Sequence, residues 1–214
     1  MSSLDLIRLN IPEIDLNDPI RAINPEVSVI TPFSPSFLKG MQVHAREVRR
    51  LFDYPGSGYL DERGINQNML DKDGQPVKDV YKGKIFNRWY IHKPPVFDAI
   101  HKSKEMTDLA SKTFGLRLKP SYSFLSMYGP SGVCPLHMDR PQCQYTIDIQ
   151  LNSDGQWPIY VSDNEFVLKN GEALCYSGTG QPHYRKPMAV NGECTYMDLV
   201  FFHFVPYEWE GCLE

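Results

Sequence analysis

Apolar positions recur at two different spacings along this chain, helical in its first half and alternating in its second. In residues 35–53 they cluster at roughly helical spacing, directly after Ser36, whose hydroxyl suits a helix cap. These apolar residues are Phe37, Leu38, Met41, Val43, Val48, Leu51 and Phe52. The pattern predicts a first helix that begins near Ser36.

A second helical pattern occupies the segment VFDAIHKSKEMTDLASKTFG, residues 96–115. The segment follows two prolines, Pro94 and Pro95, and it ends at Gly115. Glycine is common just beyond the last helical residue because it adopts the left-handed conformation at little cost. The sequence therefore predicts a second helix that ends at Gly115.

Beyond residue 119 the helical spacing gives way to short β-rich segments. In residues 144–151 Tyr145, Ile147, Ile149 and Leu151 alternate with polar residues, which is the period of a strand. The segments, separated by Gly, Asn, Asp and Pro, are SYSFLSMY, QYTIDIQL, WPIYV, EFVL, EALCYS and TYMDLVFFHFV. We expect a mostly β fold, a sandwich with N-terminal helices as an additional layer.

Length and composition favour a single domain spanning residues 1–214. The chain is 42% hydrophobic and can bury one sizeable core. We divide it into a proline-containing extended arm, a helical layer with a long loop, a β core and a tail. Their bounds are 1–34, 35–119, 120–206 and 207–214. The polar, glycine-containing tract 54–83 is longer than an ordinary connection, which is typical of a functional lid or of a plain surface loop.

The net charge and the cysteine content exclude some kinds of binding partner and indicate where in the cell the protein is expected. The net charge is −4, and the absence of a lysine and arginine run argues against binding to nucleic acid or anionic lipid. The N-terminal segment MSSLDLIRLN has no signal-peptide pattern, and no stretch approaches the ~18 apolar residues of a membrane span. Five cysteines without a CxxC pair argue against a disulfide framework. We therefore expect a soluble cytoplasmic protein.

The segment YGPSGVCPLHMD, residues 128–139, contains the first candidate for chemistry. His137 and Asp139 are two positions apart, so in a strand their side chains project to the same face. A second histidine, His183, lies in SGTGQPHYRKP, between two predicted strands. Two histidines and one carboxylate on a β scaffold form the facial triad of non-haem Fe(II) oxygenases, which leaves coordination positions open to O2 and substrate.

The order of motifs around the triad carries a family resemblance. Tyr128 and a glycine precede His137, the strand QYTIDIQLN follows, and GEALCYSGTGQPHYRKP leads into the aromatic strand DLVFFHFV. Over residues 120–205 the chain resembles the Fe(II)/2-oxoglutarate-dependent oxygenases, and within them the prolyl-4-hydroxylase-like branch. The resemblance implies a double-stranded β-helix (a jelly-roll, cupin-like fold), with His137, Asp139 and His183 as iron ligands and Tyr128 bound to the cosubstrate.

One position departs from this family. About ten residues after the distal histidine the family has a lysine or arginine that binds the far carboxylate of 2-oxoglutarate, whereas residues 193–195 are Glu, Cys and Thr. Arg185 is the expected substitute, because in an extended chain it shares the face of His183 at a backbone distance of about 6.6 Å. Its guanidinium can bind a carboxylate bidentately. The alternatives are Lys84, Arg88 and Lys93, and Thr195 adds a hydroxyl.

The expected function is that of an oxidoreductase, a 2-oxoglutarate-dependent dioxygenase that uses Fe(II) and O2 and releases succinate and CO2. Its substrate would be amino-acid-like, a peptide or another small molecule. Halogenases of the family lack the carboxylate that Asp139 supplies, so hydroxylation, desaturation or cyclisation is favoured. Two alternatives stay open. One is a cupin-type metalloenzyme that does not use 2-oxoglutarate, and the other is a non-catalytic metal- or ligand-binding domain on the same scaffold.

Other interpretations of these residues have less support. Cys134, His137 and Cys143 lack a second pair at the spacing of a zinc finger. The sequence GxSxG, which forms the nucleophile elbow of serine hydrolases, is absent. His203 stands on an apolar strand, where a hydrogen-bonded core residue is the more common role, although the strand can also turn it towards the pocket.

Overall fold

The computed structural model describes residues 25–53, 65–70, 76–78, 88–130, 132–188 and 193–213. Three α-helices lie within these ranges: α1 (Pro35–Asp53), α2 (Pro95–His101) and α3 (Lys104–Phe114). The first strands are β1 (Ser28–Ile30), β2 (Ile65–Leu70), β3 (Pro76–Lys78), β4 (Arg88–His92), β5 (Leu118–Tyr128) and β6 (Cys134–His137). The others are β7 (Tyr145–Ser153), β8 (Ile159–Val161), β9 (Asn164–Phe166), β10 (Ala173–Tyr176), β11 (His183–Arg185) and β12 (Met197–Pro206).

Two antiparallel sheets make up the β core. The larger sheet has six strands in the order β1-β10-β7-β12-β5-β4, and the smaller has four in the order β6-β11-β8-β9. A separate pair is formed by β2 and β3. The predicted mostly β architecture with N-terminal helices is confirmed: all three helices precede β5 to β12, although β1 and β4 of the larger sheet lie before α2 in the chain.

The helix boundaries differ from the prediction in two places. The first helix begins at Pro35, and Ser34 caps it instead of the predicted Ser36. The Ser34 hydroxyl accepts a hydrogen bond from the Phe37 amide at 3.4 Å. The second pattern forms two helices, because Ser103 adopts an extended conformation and caps α3 through the Met106 amide. The predicted helix end at Gly115 is confirmed. Gly115 has a φ of 68°, which glycine adopts without strain.

The tract 54–83 is not entirely a loop, since β2 and β3 form an antiparallel pair within it. Its other residues, like residues 1–24 of the predicted arm, lie outside the described part of the chain. Within the described part of the predicted arm, β1 pairs with β10 at the edge of the larger sheet. Among the helices of the described residues, none is both long and apolar enough to cross a membrane.

In strand β7 apolar and polar residues alternate, yet both faces of the strand are buried. Its apolar residues pack in a core cluster with residues of all three helices, and its polar residues are also buried. These polar residues are Thr146, Asp148, Gln150 and Asn152. Since successive side chains point to opposite faces, Thr146 and Asp148 lie on the side of the sheet away from the helices, whereas Asn152 accepts a hydrogen bond from Arg46 of α1. Asp148 lines a cavity between the two sheets.

Candidate active site

The three predicted metal ligands lie together at the smaller sheet, two on its strands and Asp139 in the segment just after β6. His137 ends β6 and is directly opposite His183, the first residue of β11, in the antiparallel register. The Oδ1 atom of Asp139 lies 3.4 Å from Nε2 of His137 and 3.7 Å from Nε2 of His183. One ligand atom from each of the three residues falls within 4.8 Å of the others.

Backbone contacts orient all three side chains. Nδ1 of His183 lies 2.9 Å from the Gln181 carbonyl oxygen, and Nδ1 of His137 lies 2.8 Å from that of Pro135. A histidine that donates from Nδ1 to a carbonyl presents the lone pair of Nε2 to a metal. The Asp139 amide donates to the Gly178 carbonyl at 2.7 Å. Both Nε2 atoms and the Asp139 carboxylate therefore point towards one place.

These donors fit an iron ion. Neighbouring ligands of an octahedral ion with bonds of about 2.1 Å lie about 3 Å apart, close to the distances between these donor atoms. In the metal-free protein the hydrogen bond that His137 donates to the Asp139 carboxylate raises the pKa of His137 to about 10. Burial opposes ionisation of Asp139, yet its hydrogen bonds with His137 and His183 hold its pKa below the usual range. The role of the three residues as ligands stays a prediction.

Gly178, which the sequence analysis did not single out, leaves room for Asp139. A Cβ atom at this position would overlap Oδ2 of Asp139 and the Cys143 carbonyl oxygen. The Gly178 amide also donates to the Gln144 carbonyl at 3.1 Å, so its backbone has little freedom to retreat. The only sequence signal was the glycine itself, in SGTGQ shortly before His183.

We expect Gly178→Ala to weaken metal binding by about 10–100-fold, the effect typical of residues that position ligands. The added methyl group pushes the Asp139 carboxylate away from the two histidines. Anaerobic titration with Fe(II) measures the effect. Gly40→Ala is the matched control, since a Cβ at Gly40, within helix α1, meets no atom within 4 Å. Equal Fe(II) affinity in the two variants would contradict the assignment of Gly178.

A cavity of about 190 Å³ opens beside the triad, between the two sheets. Its walls combine the triad with aromatic and aliphatic side chains and two arginines. The aromatic and aliphatic members are Tyr122, Phe124, Tyr128, Ile159, Tyr176, Leu199 and Phe201. The arginines are Arg88 and Arg185. A mainly apolar cavity with a few convergent polar groups is typical of a small-molecule site.

Arg185 is placed inside this cavity. It is 3% exposed, and one terminal nitrogen donates to the Trp157 carbonyl. Its Nη2 lies 3.4 Å from Oδ2 of Asp148, and its guanidinium lies 5.1 Å from the centre of the Trp157 ring. The guanidinium is therefore held in one orientation and still lines the cavity.

Of the alternative anchors, only Arg88 is among the described residues that line the cavity. Its Nη1 donates to the Tyr128 hydroxyl at 3.1 Å. Burial raises the pKa of Tyr128 to about 12, so the phenol stays protonated at neutral pH. Lys84 lies outside the described residues, and Thr195 bonds Asp154 through its amide at 2.8 Å.

Tyr122 and His203 are further groups at the site, and Tyr122 was not predicted from the sequence. Tyr122 lines the cavity, and its hydroxyl lies 2.8 Å from Sγ of Cys143. Burial raises the pKa of Cys143 to about 12, which keeps its thiol neutral. His203 combines both roles considered for it, because it is buried, lies 3.0 Å from the Thr146 hydroxyl and also lines the cavity.

Comparisons with known proteins bear on the fold. No protein-family model matches the chain, and no curated protein sequence matches it. AviO1 from Streptomyces viridochromogenes Tue57 is similar at a TM-score of 0.61 and 13% identity, with 94% of this chain and 99% of that chain covered. EctD from S. alaskensis, solved with bound Fe, has a TM-score of 0.59 and 11% identity, with 98% and 84% covered.

HygX from Streptomyces hygroscopicus, solved with nickel, 2-oxoglutarate and hygromycin B bound, has a TM-score of 0.52 and 12% identity. The match covers 89% of this chain and 86% of that chain. At these identities the likeness establishes the fold. The prediction of a double-stranded β-helix is confirmed.

Proposed function

We propose that this protein is an Fe(II)- and 2-oxoglutarate-dependent dioxygenase. One observation carries the proposal: His137, Asp139 and His183 converge at the wall of a cavity that also contains a buried arginine, Arg185. The donor set is the one that non-haem iron oxygenases use, and the arginine supplies the group that a dicarboxylic cosubstrate needs. Tyr128, in the same cavity, adds a hydroxyl donor.

Two of the similar structures add support. EctD was solved with bound Fe, and HygX with nickel and 2-oxoglutarate. We transfer iron and 2-oxoglutarate to this chain on the strength of its own triad and cavity, because the two proteins share only 11% and 12% identity with it. Membership of the prolyl-4-hydroxylase-like branch stays a prediction.

Each residue of the site then has a defined task. His137, Asp139 and His183 would hold the iron on one face, leaving the cavity side for ligands. When bound, iron with 2-oxoglutarate and O2 supplies the oxidising chemistry, in which the keto acid becomes succinate and CO2. Arg185 and Tyr128 orient the far carboxylate. The apolar residues around the cavity limit the access of water.

The substrate that we propose is a small molecule or a peptide. The cavity of about 190 Å³ matches a compact group better than a large one. The apolar part of its wall includes Phe124, Ile159, Leu199 and Phe201. A substrate with an apolar part next to the oxidised carbon would be complementary to these residues.

Anaerobic addition of Fe(II) and then 2-oxoglutarate tests the proposal. We expect a weak visible charge-transfer band that requires both additions, and succinate release once O2 is admitted with a substrate. A screen of amino acids and peptides for succinate production would identify the substrate class. Iron binding without the 2-oxoglutarate-dependent band would instead favour the cupin-type alternative. No iron binding at all would favour a non-catalytic domain.

A further inference from the structure

Asp148 is a carboxylate in an unusual place, at the centre of the inner face of the larger sheet. It is fully buried, and its register partners on the adjacent strands are Leu174 of β10 and Phe201 of β12. Its ion-pair partner comes from the other sheet, where Arg185 approaches Oδ2 at 3.4 Å. Asp148 and Arg185 thus connect the two sheets through the wall of the cavity.

Only half of the Asp148 carboxylate is satisfied by the protein. Within the described residues, Oδ1 is buried and has no hydrogen-bond partner. A buried acceptor without a partner costs about 1–3 kcal/mol, and more when it is charged. Asp148 lines the cavity, so a ligand that enters lies beside its carboxyl group.

The proposed position of 2-oxoglutarate puts a second carboxyl group on the same guanidinium. Arg185 carries one positive charge, whereas Asp148 and the far carboxylate together carry two negative charges. In a site that excludes water, two neighbouring carboxylates do not both stay ionised, and one of them takes up a proton. The shared proton then forms a hydrogen bond between the two carboxyl groups.

We propose that Asp148 is a further cosubstrate-binding residue, which holds the far carboxyl group of 2-oxoglutarate through one proton shared with its Oδ1 atom. This inference rests on the proposed function, because it requires 2-oxoglutarate to bind at Arg185. It predicts that binding of 2-oxoglutarate takes up a proton from solution. A carboxylate that served only to connect the sheets would not produce this uptake.

The groups around Asp148 determine the pH range in which its carboxyl group titrates. Arg185 and His183 face it from β11, Tyr176 from β10, and Asp139 from the segment after β6. Burial raises the pKa of Asp148 to about 6, although the Arg185 charge opposes the rise. A second carboxylate raises this pKa further, so Asp148 loses its proton at higher pH in the complex than in the free protein.

The direction in which pH changes the affinity for 2-oxoglutarate follows from the pKa of Asp148 before and after 2-oxoglutarate binds. Below the pKa that Asp148 has in the metal-loaded protein before 2-oxoglutarate binds, its carboxyl group already holds a proton and the affinity is constant. Above that value each bound 2-oxoglutarate must bring in a proton, so the Kd rises by up to about tenfold per pH unit. The rise ends at the higher pKa of the complex.

Isothermal titration of the nickel(II)-loaded protein with 2-oxoglutarate, without O2, tests the inference. Titrations at pH 7 in buffers of low and high ionisation enthalpy yield the number of protons taken up. We expect about one per bound 2-oxoglutarate. Asp148→Asn should take up none, since its amide donates the hydrogen bond itself, and its affinity should not change between pH 6 and 8. A keto acid that lacks the far carboxyl group, 2-oxobutanoate, should bind the unmodified protein without uptake.

Each outcome has a separate meaning. Binding of 2-oxoglutarate without proton uptake, equal in the unmodified protein and in Asp148→Asn, would overturn the role of Asp148 and leave the proposed function intact. No binding to the metal-loaded, unmodified protein would overturn the proposed function itself. Nickel affinity and the thermal unfolding midpoint of Asp148→Asn show whether the variant keeps the site and the fold.

Discussion

Replacement of His137 by alanine is expected to abolish iron-dependent turnover while the protein stays folded. The substitution removes the Nε2 donor that lies 3.4 Å from Asp139 and leaves two of the three proposed ligands. We expect Fe(II) affinity to fall by more than about 100-fold, beyond the effect of residues that only orient ligands. The fold should tolerate the change, because the His137 side chain is 41% exposed and little packing is lost.

The neighbours of His137 offer matched controls for this experiment. Leu136 and Met138 are 68% and 60% exposed, and neither is among the described residues that line the cavity. Leu136→Ala and Met138→Ala should therefore keep their Fe(II) affinity. Fe(II) titration, succinate release and circular dichroism separate loss of metal from loss of fold. Full turnover of His137→Ala with Fe(II) supplied would rule out the triad.

Arg185→Ala is expected to raise the Michaelis constant for 2-oxoglutarate by at least about 30-fold, because loss of one partner of a desolvated charge pair costs about 2–5 kcal/mol. The Fe(II) affinity should change little, since the guanidinium is not a ligand. Arg185→Lys should recover part of the loss, because lysine keeps the charge but not the bidentate geometry. Steady-state kinetics with varied 2-oxoglutarate measure both variants.

The ion pair with Asp148 requires one more variant. Arg185→Ala also removes the cation beside a fully buried carboxylate, which by itself destabilises the fold. The double variant Arg185→Ala/Asp148→Asn removes both charges, so weaker binding of 2-oxoglutarate by this protein than by the single variant Asp148→Asn reflects the lost Arg185 anchor. If the Michaelis constant stays unchanged, the anchor moves to Arg88, which lines the same cavity and donates to Tyr128.

The sequence by itself determined the class of fold and predicted half of the candidate site. Alternation in residues 144–151 predicted a strand that the structure places at β7, because a period of two belongs to an extended chain whatever surrounds it. The HxD spacing likewise put His137 and Asp139 on one side of the chain. Local geometry fixes such relations, so they can be predicted without knowledge of the rest of the molecule.

Contacts between segments distant in sequence were decided only by the tertiary structure. The register of β6 with β11 puts His183 opposite His137, and the facing of the two sheets brings Arg185 to Asp148. Alternation indicates that Asp148 shares a face with its polar neighbours, but it does not indicate what covers that face. That face lines a cavity instead of meeting solvent because a second sheet packs over it, and this packing depends on strand pairing along the whole chain.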